Sequence, residues 1–356
     1  MARIELIDSL KGYAIILVLL GHVIVLSNQS DFSQSWLFTF IYAFHMPLLL
    51  FLSGYIIYQK PVGPILNFLF KKSKGLLLPY FIWLFISIII VNAFILNNEV
   101  WMYLLNHLII FDNLWFLPVL FVSLLILYLF IRIENVLSVY RLQDLTVLLF
   151  FAGYLVSWIF EPPVQGLMLI RWFSPFVIIG YLAAEREEKI VKITYLFPLA
   201  SLIFILLLPS WNKYVINFSN PGFPGLAIDF ILAITGIIMA FGLMKSLQKT
   251  PVDKFMSFLG IYTLEIYLVS NFVALILVQI LDVRFWLGEG LAAYITGTLV
   301  FLFISLSLAV VLSYNKYVSL LLFGRWSWKI ARKWIGKYFD EMRKFSHSFK
   351  LSRLTK

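Results

Sequence analysis

The sequence predicts an all-α polytopic membrane protein with about ten transmembrane helices and both termini cytoplasmic, and three observations carry that expectation. The chain of 356 residues is 62% hydrophobic and only 13% charged, whereas a soluble globular chain is about 25% charged. Its apolar residues fall in blocks, most of them near the ~20 residues a helix needs to cross a bilayer. Its lysines and arginines alternate from one connecting loop to the next.

The blocks lie at roughly 12–27, 36–58, 76–96, 114–131, 145–160, 167–184, 193–209, 224–247, 258–281 and 291–313. With the N-terminus inside, the first four cytoplasmic segments hold Arg3 and Lys11, then Lys60, Lys71, Lys72 and Lys74, then Arg132 and Arg141, then Arg186, Lys189 and Lys192. Lys245, Lys249 and Lys254 follow, and the basic residues from Lys316 to Lys356 complete the inside set. Outside loops hold only Lys213 and Arg284, and Arg171 falls within a span. The net charge of +10 therefore reflects topology and a basic tail, and implies no nucleic-acid partner. No small-residue cleavage site follows the first block, so no signal peptide is expected. The absence of cysteine excludes disulfides, a thiolate metal site and a cysteine nucleophile, and no metal-ligand cluster is expected.

Residues 1–324 read as one integral membrane domain and 325–356 as a basic amphipathic cytoplasmic tail. The tail sets Trp326, Trp328, Trp334, Tyr338 and Phe339 among lysines and arginines. That pattern suits either a helix on an anionic inner leaflet or a solvated charged tail, and no chemistry is assigned to it. No inverted pair of Gly/Pro-broken spans is visible, which disfavours an inverted-repeat transporter.

In chain order, the first candidate residues lie in the first block. If Arg3–Leu26 is helical, Lys11 and His22 return to within roughly 20° of one face, some 16 Å apart along the axis, with Asp8 near that face. An ionisable group inside a bilayer is costly and marks a functional site by default; the alternative is a histidine bonded to a neighbouring helix. His45 sits in the second block, in FHMPLLLFLSGY, about nine residues or roughly 13 Å from the outer surface. The two histidines thus arrive at similar depth on consecutive antiparallel helices, Pro47 offers a kink beside them, and Ser53 or a tyrosine offers a hydroxyl. Lys71 and Lys74, three apart in KKSKGLLLPY, share a helix face at the mouth of the third span, either as plain positive-inside topology or as an anion site. Asp112, Asn113 and Trp115 open the fourth span, where tryptophan is commonly a depth anchor. Arg171 in the sixth span and Glu265 in the ninth are expected to face the interior and find partners, with Asp229, Glu161 and Glu265 as the carboxylates open to Arg171.

At these residues the chain resembles the membrane acyltransferase-3 family, integral-membrane enzymes that O-acylate bacterial surface and secreted glycans. The segments that carry the resemblance are Asp8, Lys11 and His22; FHMPLLLFLSGY; Lys71-x-x-Lys74 before Pro79; LWFLPVLF; and GIYTLEIYL. The histidine and methionine before Pro47 are most similar to the fucose-4-O-acetylase-like branch. The chain departs from the family in carrying lysine where arginine is commoner, which loses bidentate phosphate binding, and in having Val269 and Ser270 where many relatives place a histidine.

The resemblance implies an O-acetyltransferase of the bacterial cytoplasmic membrane, moving an acyl group, most often acetyl, from cytoplasmic acyl-CoA to a hydroxyl of a glycan or lipid-linked sugar. It implies no permanently bound cofactor, and partners in the bilayer and in glycan-synthesis machinery. On that reading His22 is the general base, and His45 orients it, bonds the acceptor or stabilises the oxyanion. Lys11, oriented by Asp8, and Lys71 with Lys74 hold the phosphates or pantetheine of CoA; Ser53, Trp115, Arg171 and Glu265 are acceptor-side or structural polar groups. The competing function is an exporter or flippase for a glycan or small polar solute, in which the same residues line a pathway.

Overall fold

The computed structural model describes residues 2–27, 35–59, 62–94, 114–138, 143–160, 164–186, 194–211, 222–279 and 290–325. The described residues form helices and short turns, with no strand among them. We number the helices α1 (Ala2–Ser27), α2 (Trp36–Tyr42), α3 (His45–Tyr58), α4 (Ile65–Lys72), α5 (Leu78–Phe94), α6 (Phe116–Ser138) and α7 (Gln143–Ser157). They continue as α8 (Gln165–Glu185), α9 (Phe197–Leu207), α10 (Gly222–Ser246), α11 (Pro251–Ile261), α12 (Thr263–Gln279), α13 (Leu291–Tyr314) and α14 (Lys316–Phe323).

All ten expected blocks coincide with helix, but they differ in length. Among the described residues, seven helical stretches are long and apolar enough to cross a membrane, and an eighth appears if the bent pair α11–α12 is one span. The blocks at α7 and α9 are shorter apolar helices. The outward surface is the inverse of a soluble protein's: Phe85, Leu148, Leu206, Leu299 and Phe303 are all exposed. A continuous apolar exterior of this kind calls for lipid around it. This is a multi-pass membrane protein.

The bundle is built around α1, which packs against α2, α3, α10, α11, α12 and α13. Small residues let its backbone come close to α11: a Cβ on Gly12 would overlap the Met256 carbonyl, and one on Gly260 would overlap the Asp8 carbonyl. Helices α3 and α8 meet the same way, with Gly54 against the Val177 carbonyl and Gly180 against that of Phe51. Between apolar helices in lipid, close van der Waals contact drives association, and small residues permit it. The α1–α11 contact adds a polar tie, because Ser9 Oγ donates to Asp253 Oδ1 at 2.5 Å and both residues are buried.

Three local features depart from the expected spans. The third span begins at Ile65 rather than near 76, so Lys71, Lys72 and Lys74 are helical and not in a loop. It carries a π-helical turn over Ser73–Leu77, a form that often marks functional sites. Pro47 lies in the first turn of α3, where a missing N–H is tolerated; the break in that span comes earlier, at Ala43 and Phe44. The ninth span, read as continuous, bends by 73° between α11 and α12 at Tyr262, with no proline at the break.

Candidate functional site

The site grows from the two ends of α1. At its first turns Lys11 Nζ lies 2.9 Å from Asp8 Oδ1, an i,i+3 pair on one helix face. Lys11 also lines a cavity of about 180 Å³, together with Ile15 one turn further on. The remaining wall comes from α3 (Leu49, Leu52, Ser53), the π turn (Leu76), α6 (Phe116, Leu120), the broken span (Gly260, Thr263, Leu264, Tyr267) and Arg325. The lining is mostly apolar, with polar groups confined to Lys11, Ser53, Thr263, Tyr267 and Arg325. Ser53 Oγ is turned back to the Leu49 carbonyl at 2.8 Å. Small-molecule sites are commonly of this kind, apolar with a few placed polar groups.

Arg325 is the residue the sequence reading missed. It follows Gly324, whose φ of 62° is a left-handed C-cap that glycine adopts without strain. Asn315 caps the other end of α14, its Oδ1 accepting from the Tyr317 and Val318 N–H groups at 2.9 and 3.3 Å. The helix between is tied down by Trp83, whose Nε1 donates to the Leu322 carbonyl at 2.9 Å. Asn at an N-cap and Gly at a C-cap were visible in the sequence, and together they delimit a short helix ending just before Arg325. What no local pattern shows is the destination of the guanidinium. Its Nε donates to Glu265 Oε1 at 2.6 Å and its Nη2 to Oε2, while Nη2 also reaches the Ile261 carbonyl at 2.8 Å.

Glu265 thus finds its partner in Arg325 and not in Arg171. It is fully buried and stands in the first turn of α12, where the helix dipole favours an anion. Arg171 instead closes the end of α7, Nη1 donating to the Ser157 and Phe160 carbonyls at 2.9 and 2.6 Å, with its guanidinium 3.9 Å over the Trp158 ring. Glu161, Asp112 and Asn113 lie outside the described residues, as does the tail beyond Arg325. Trp115 stacks on Phe173 with ring centroids 5.0 Å apart and neighbours Phe116, whose ring meets Tyr267 in the cavity wall; it does not line the cavity itself.

Towards its other end, α1 brings His22 beside the α2–α3 turn. Gly21 faces the Tyr42 ring, and that ring lies edge-on to His45 at 4.8 Å between centroids. The Tyr42 ring thus meets both His45 and the glycine next to His22. His45 is buried, and its Nδ1 is 2.8 Å from the Ile41 carbonyl. A carbonyl only accepts, so a neutral His45 holds its proton on Nδ1 and leaves Nε2 as an acceptor. Among the described residues, His22 Nδ1 is enclosed without a hydrogen-bond partner. Neither histidine lines the Lys11 cavity; buried Val18 and Leu19 occupy the turns between Ile15 and His22.

Of the paired lysines, Lys71 is exposed and Lys74, within the π turn that starts at Ser73, is half-buried. Neither lysine lines the Lys11 cavity, but the Lys74 carbonyl is packed against Gly324, the neighbour of the wall residue Arg325. A second cavity, of about 310 Å³, lies between α3, α6 and α8 and is lined by Tyr58, Gln59, Arg132, Asn135 and Tyr181 among others. None of the residues expected to carry chemistry borders it.

The fold and this arrangement define a multi-pass helical membrane protein with a lysine-floored cavity and a histidine pair on one central helix. The chain belongs to the acyltransferase-3 family: the model of its acyltransferase domain matches residues 4–314. Among curated proteins it is similar to the nodulation protein NolL of Sinorhizobium fredii (strain NBRC 101917 / NGR234), 31% identical over 192 residues, which is 51% of this chain and 49% of that protein. The chain thus spans about half the length of that relative. No solved structure matches.

Proposed function

We propose that this protein is a membrane O-acyltransferase that moves an acyl group, acetyl in the simplest case, from acyl-CoA to a hydroxyl of a glycan or a lipid-linked sugar. Membership of an acyltransferase family supports the reaction class. The observation that carries the site is the convergence of His22 and His45 at one level of α1, with a mostly apolar cavity and Lys11 two to three turns below.

On this reading His22 accepts the proton of the attacking hydroxyl, since a neutral imidazole suits a general base near neutral pH. His45, held by the Ile41 carbonyl, orients the acceptor or His22. The sugar oxygen bonds to the acyl carbon, the carbon–sulfur bond breaks, and CoA leaves as a thiol carrying the proton that His22 held. The cavity takes the uncharged acyl and pantetheine arm of the donor. Lys74 and Lys71 face the phosphates, with Lys11 and Asp8 between. The basic loops support a cytoplasmic Lys11 end, on the side where acyl-CoA is made, in a bacterial cytoplasmic membrane. Glycan-synthesis enzymes are the partners this reaction calls for.

The test uses the full chain in proteoliposomes, acetyl-CoA, and a panel of methyl glycosides and purified bacterial polysaccharides. Acceptor-dependent release of CoA thiol is expected. No release above the protein-free control with any acceptor would sink the enzyme reading. The bend at Tyr262 favours one other function, because transporters build their sites from broken helices. An exporter would move a labelled sugar across the same vesicles without consuming acetyl-CoA.

A further inference from the structure

The matched acyltransferase domain ends at residue 314, yet one wall residue of the cavity, Arg325, lies eleven positions beyond it. The chain reaches that position by a built route. Asn315 starts α14, Trp83 holds its last turn, Phe323 is fully buried, and Gly324 turns the backbone against the Lys74 carbonyl. Ser319 Oγ then donates to the Arg325 carbonyl at 2.9 Å, so the arginine backbone is held as well as its side chain.

The guanidinium lands on both sides of the bend at Tyr262. It donates to the Ile261 carbonyl, at the end of α11, and to the Glu265 carboxylate, in the first turn of α12. A helix that breaks inside a membrane protein leaves carbonyls needing donors. Here Thr263 Oγ1 serves the Gly260 carbonyl at 2.9 Å, and Arg325 serves Ile261. The planar fork of arginine makes this bridge with one side chain, where lysine, a point charge, holds no such geometry. Gly260, Thr263, Leu264 and Tyr267, on the two sides of the bend, all face the cavity. Their relative placement therefore depends on the angle that Arg325 pins.

We propose that Arg325 is a positioning residue of the donor site: by clamping α11 to α12 it holds the cavity in the shape that receives acyl-CoA, so that α14 and its Gly324 cap are part of the site. The proposal rests on the acyl-CoA reading above.

The experiment measures acetyl-CoA binding and initial rates of thiol release for the full-length protein in detergent, with Arg325→Ala, Arg325→Lys and the exchange Arg325→Glu with Glu265→Arg. Arg325→Ala is expected to raise the acetyl-CoA concentration for half-saturation about tenfold or more, the scale of a lost charge-assisted network. Arg325→Lys should recover part of the loss, and the exchange more than either Arg325→Glu or Glu265→Arg alone. A role in stability only would lower the amount of active protein and leave half-saturation unchanged, and that result overturns the proposal. If Arg325→Ala is not recovered folded, Arg325→Lys carries the test, with half-saturation within twofold of the parent as the overturning result. A further measurement is independent of the donor reading: the chain has no cysteine, so maleimide labelling of Thr263→Cys reports the cavity wall directly. Failure of the parent protein to bind acetyl-CoA would sink the donor reading. The clamp would then be judged by labelling alone, a change of severalfold with Arg325→Lys supporting it and equal rates overturning it.

Discussion

The two ends of α1 are made of the same polymer and solve opposite problems. At the Asp8 end the charged groups have answers: Lys11 on Asp8, Asp253 held by Ser9, and Glu265 in the fork of Arg325. At the His22 end an imidazole nitrogen is enclosed without a partner among the described residues, near a second histidine whose Nδ1 is held by the Ile41 carbonyl. Buried charge left unpaired costs several kcal/mol, so a fold retains it mainly when paired. A neutral imidazole costs less to leave unsatisfied and keeps its proton-accepting capacity for something else. The contrast teaches that the polar residues of this membrane domain divide into groups that hold the bundle and groups held in reserve by it.

That division can be broken experimentally, and the largest effect belongs to the reserve end. His22→Ala is expected to reduce acyl transfer by about 10²–10⁴-fold, the usual contribution of a general base, with protein levels and thermal unfolding close to the parent's. Activity near the parent's would remove His22 from the chemistry. At the other end the expected losses are of folding. Gly260→Leu drives a side chain into the Asp8 backbone and should abolish recovery of folded protein, overpacking costing about 1–3 kcal/mol or more. Gly153→Ala, with nothing near its Cβ position, is the control and should fold normally.

A smaller effect follows from the tie between α1 and α11. Ser9→Ala takes a donor from the buried Asp253 carboxylate and should lower stability by about 1–3 kcal/mol, read as a shift in thermal unfolding, with half-saturation for acetyl-CoA unchanged. The smallest effect sharpens the lysine pair. Lys74→Glu should raise the Michaelis constant for acetyl-CoA severalfold and Lys71→Glu less, because an exposed charge is screened by solvent while Lys74 is half-buried. Equal effects would remove the distinction between the two lysines, and no effect of either would return both to plain membrane topology.

Much of this molecule was legible beforehand, for reasons that are local. Span positions follow from runs of apolar residues, and the alignment of Lys11, Ile15 and His22 along α1 follows from helical rotation alone. Counting residues inward on the first two spans likewise puts His22 and His45 at similar depth. The errors came where a feature depends on another segment. Lys74 falls inside a π turn that begins after Lys71, a change of helix geometry that their spacing does not announce. The broken ninth span has no proline at its bend to announce it, since its freed carbonyls are satisfied from elsewhere.

By itself, then, the sequence determined the membrane class, the helical segments and the one helix that carries both a cavity lysine and a deep histidine. Each is written in spacing and hydropathy within a single stretch of chain. Only the tertiary structure decided who answers whom. Glu265 was one of three carboxylates open to Arg171, and the cation it pairs with is sixty residues away, at a position that reads as the start of a basic tail. Ion pairs in a bundle are set by which helix ends the packing brings together. That packing rests on glycine contacts such as Gly12 on Met256 and Gly260 on Asp8, whose partners no periodicity within either helix encodes.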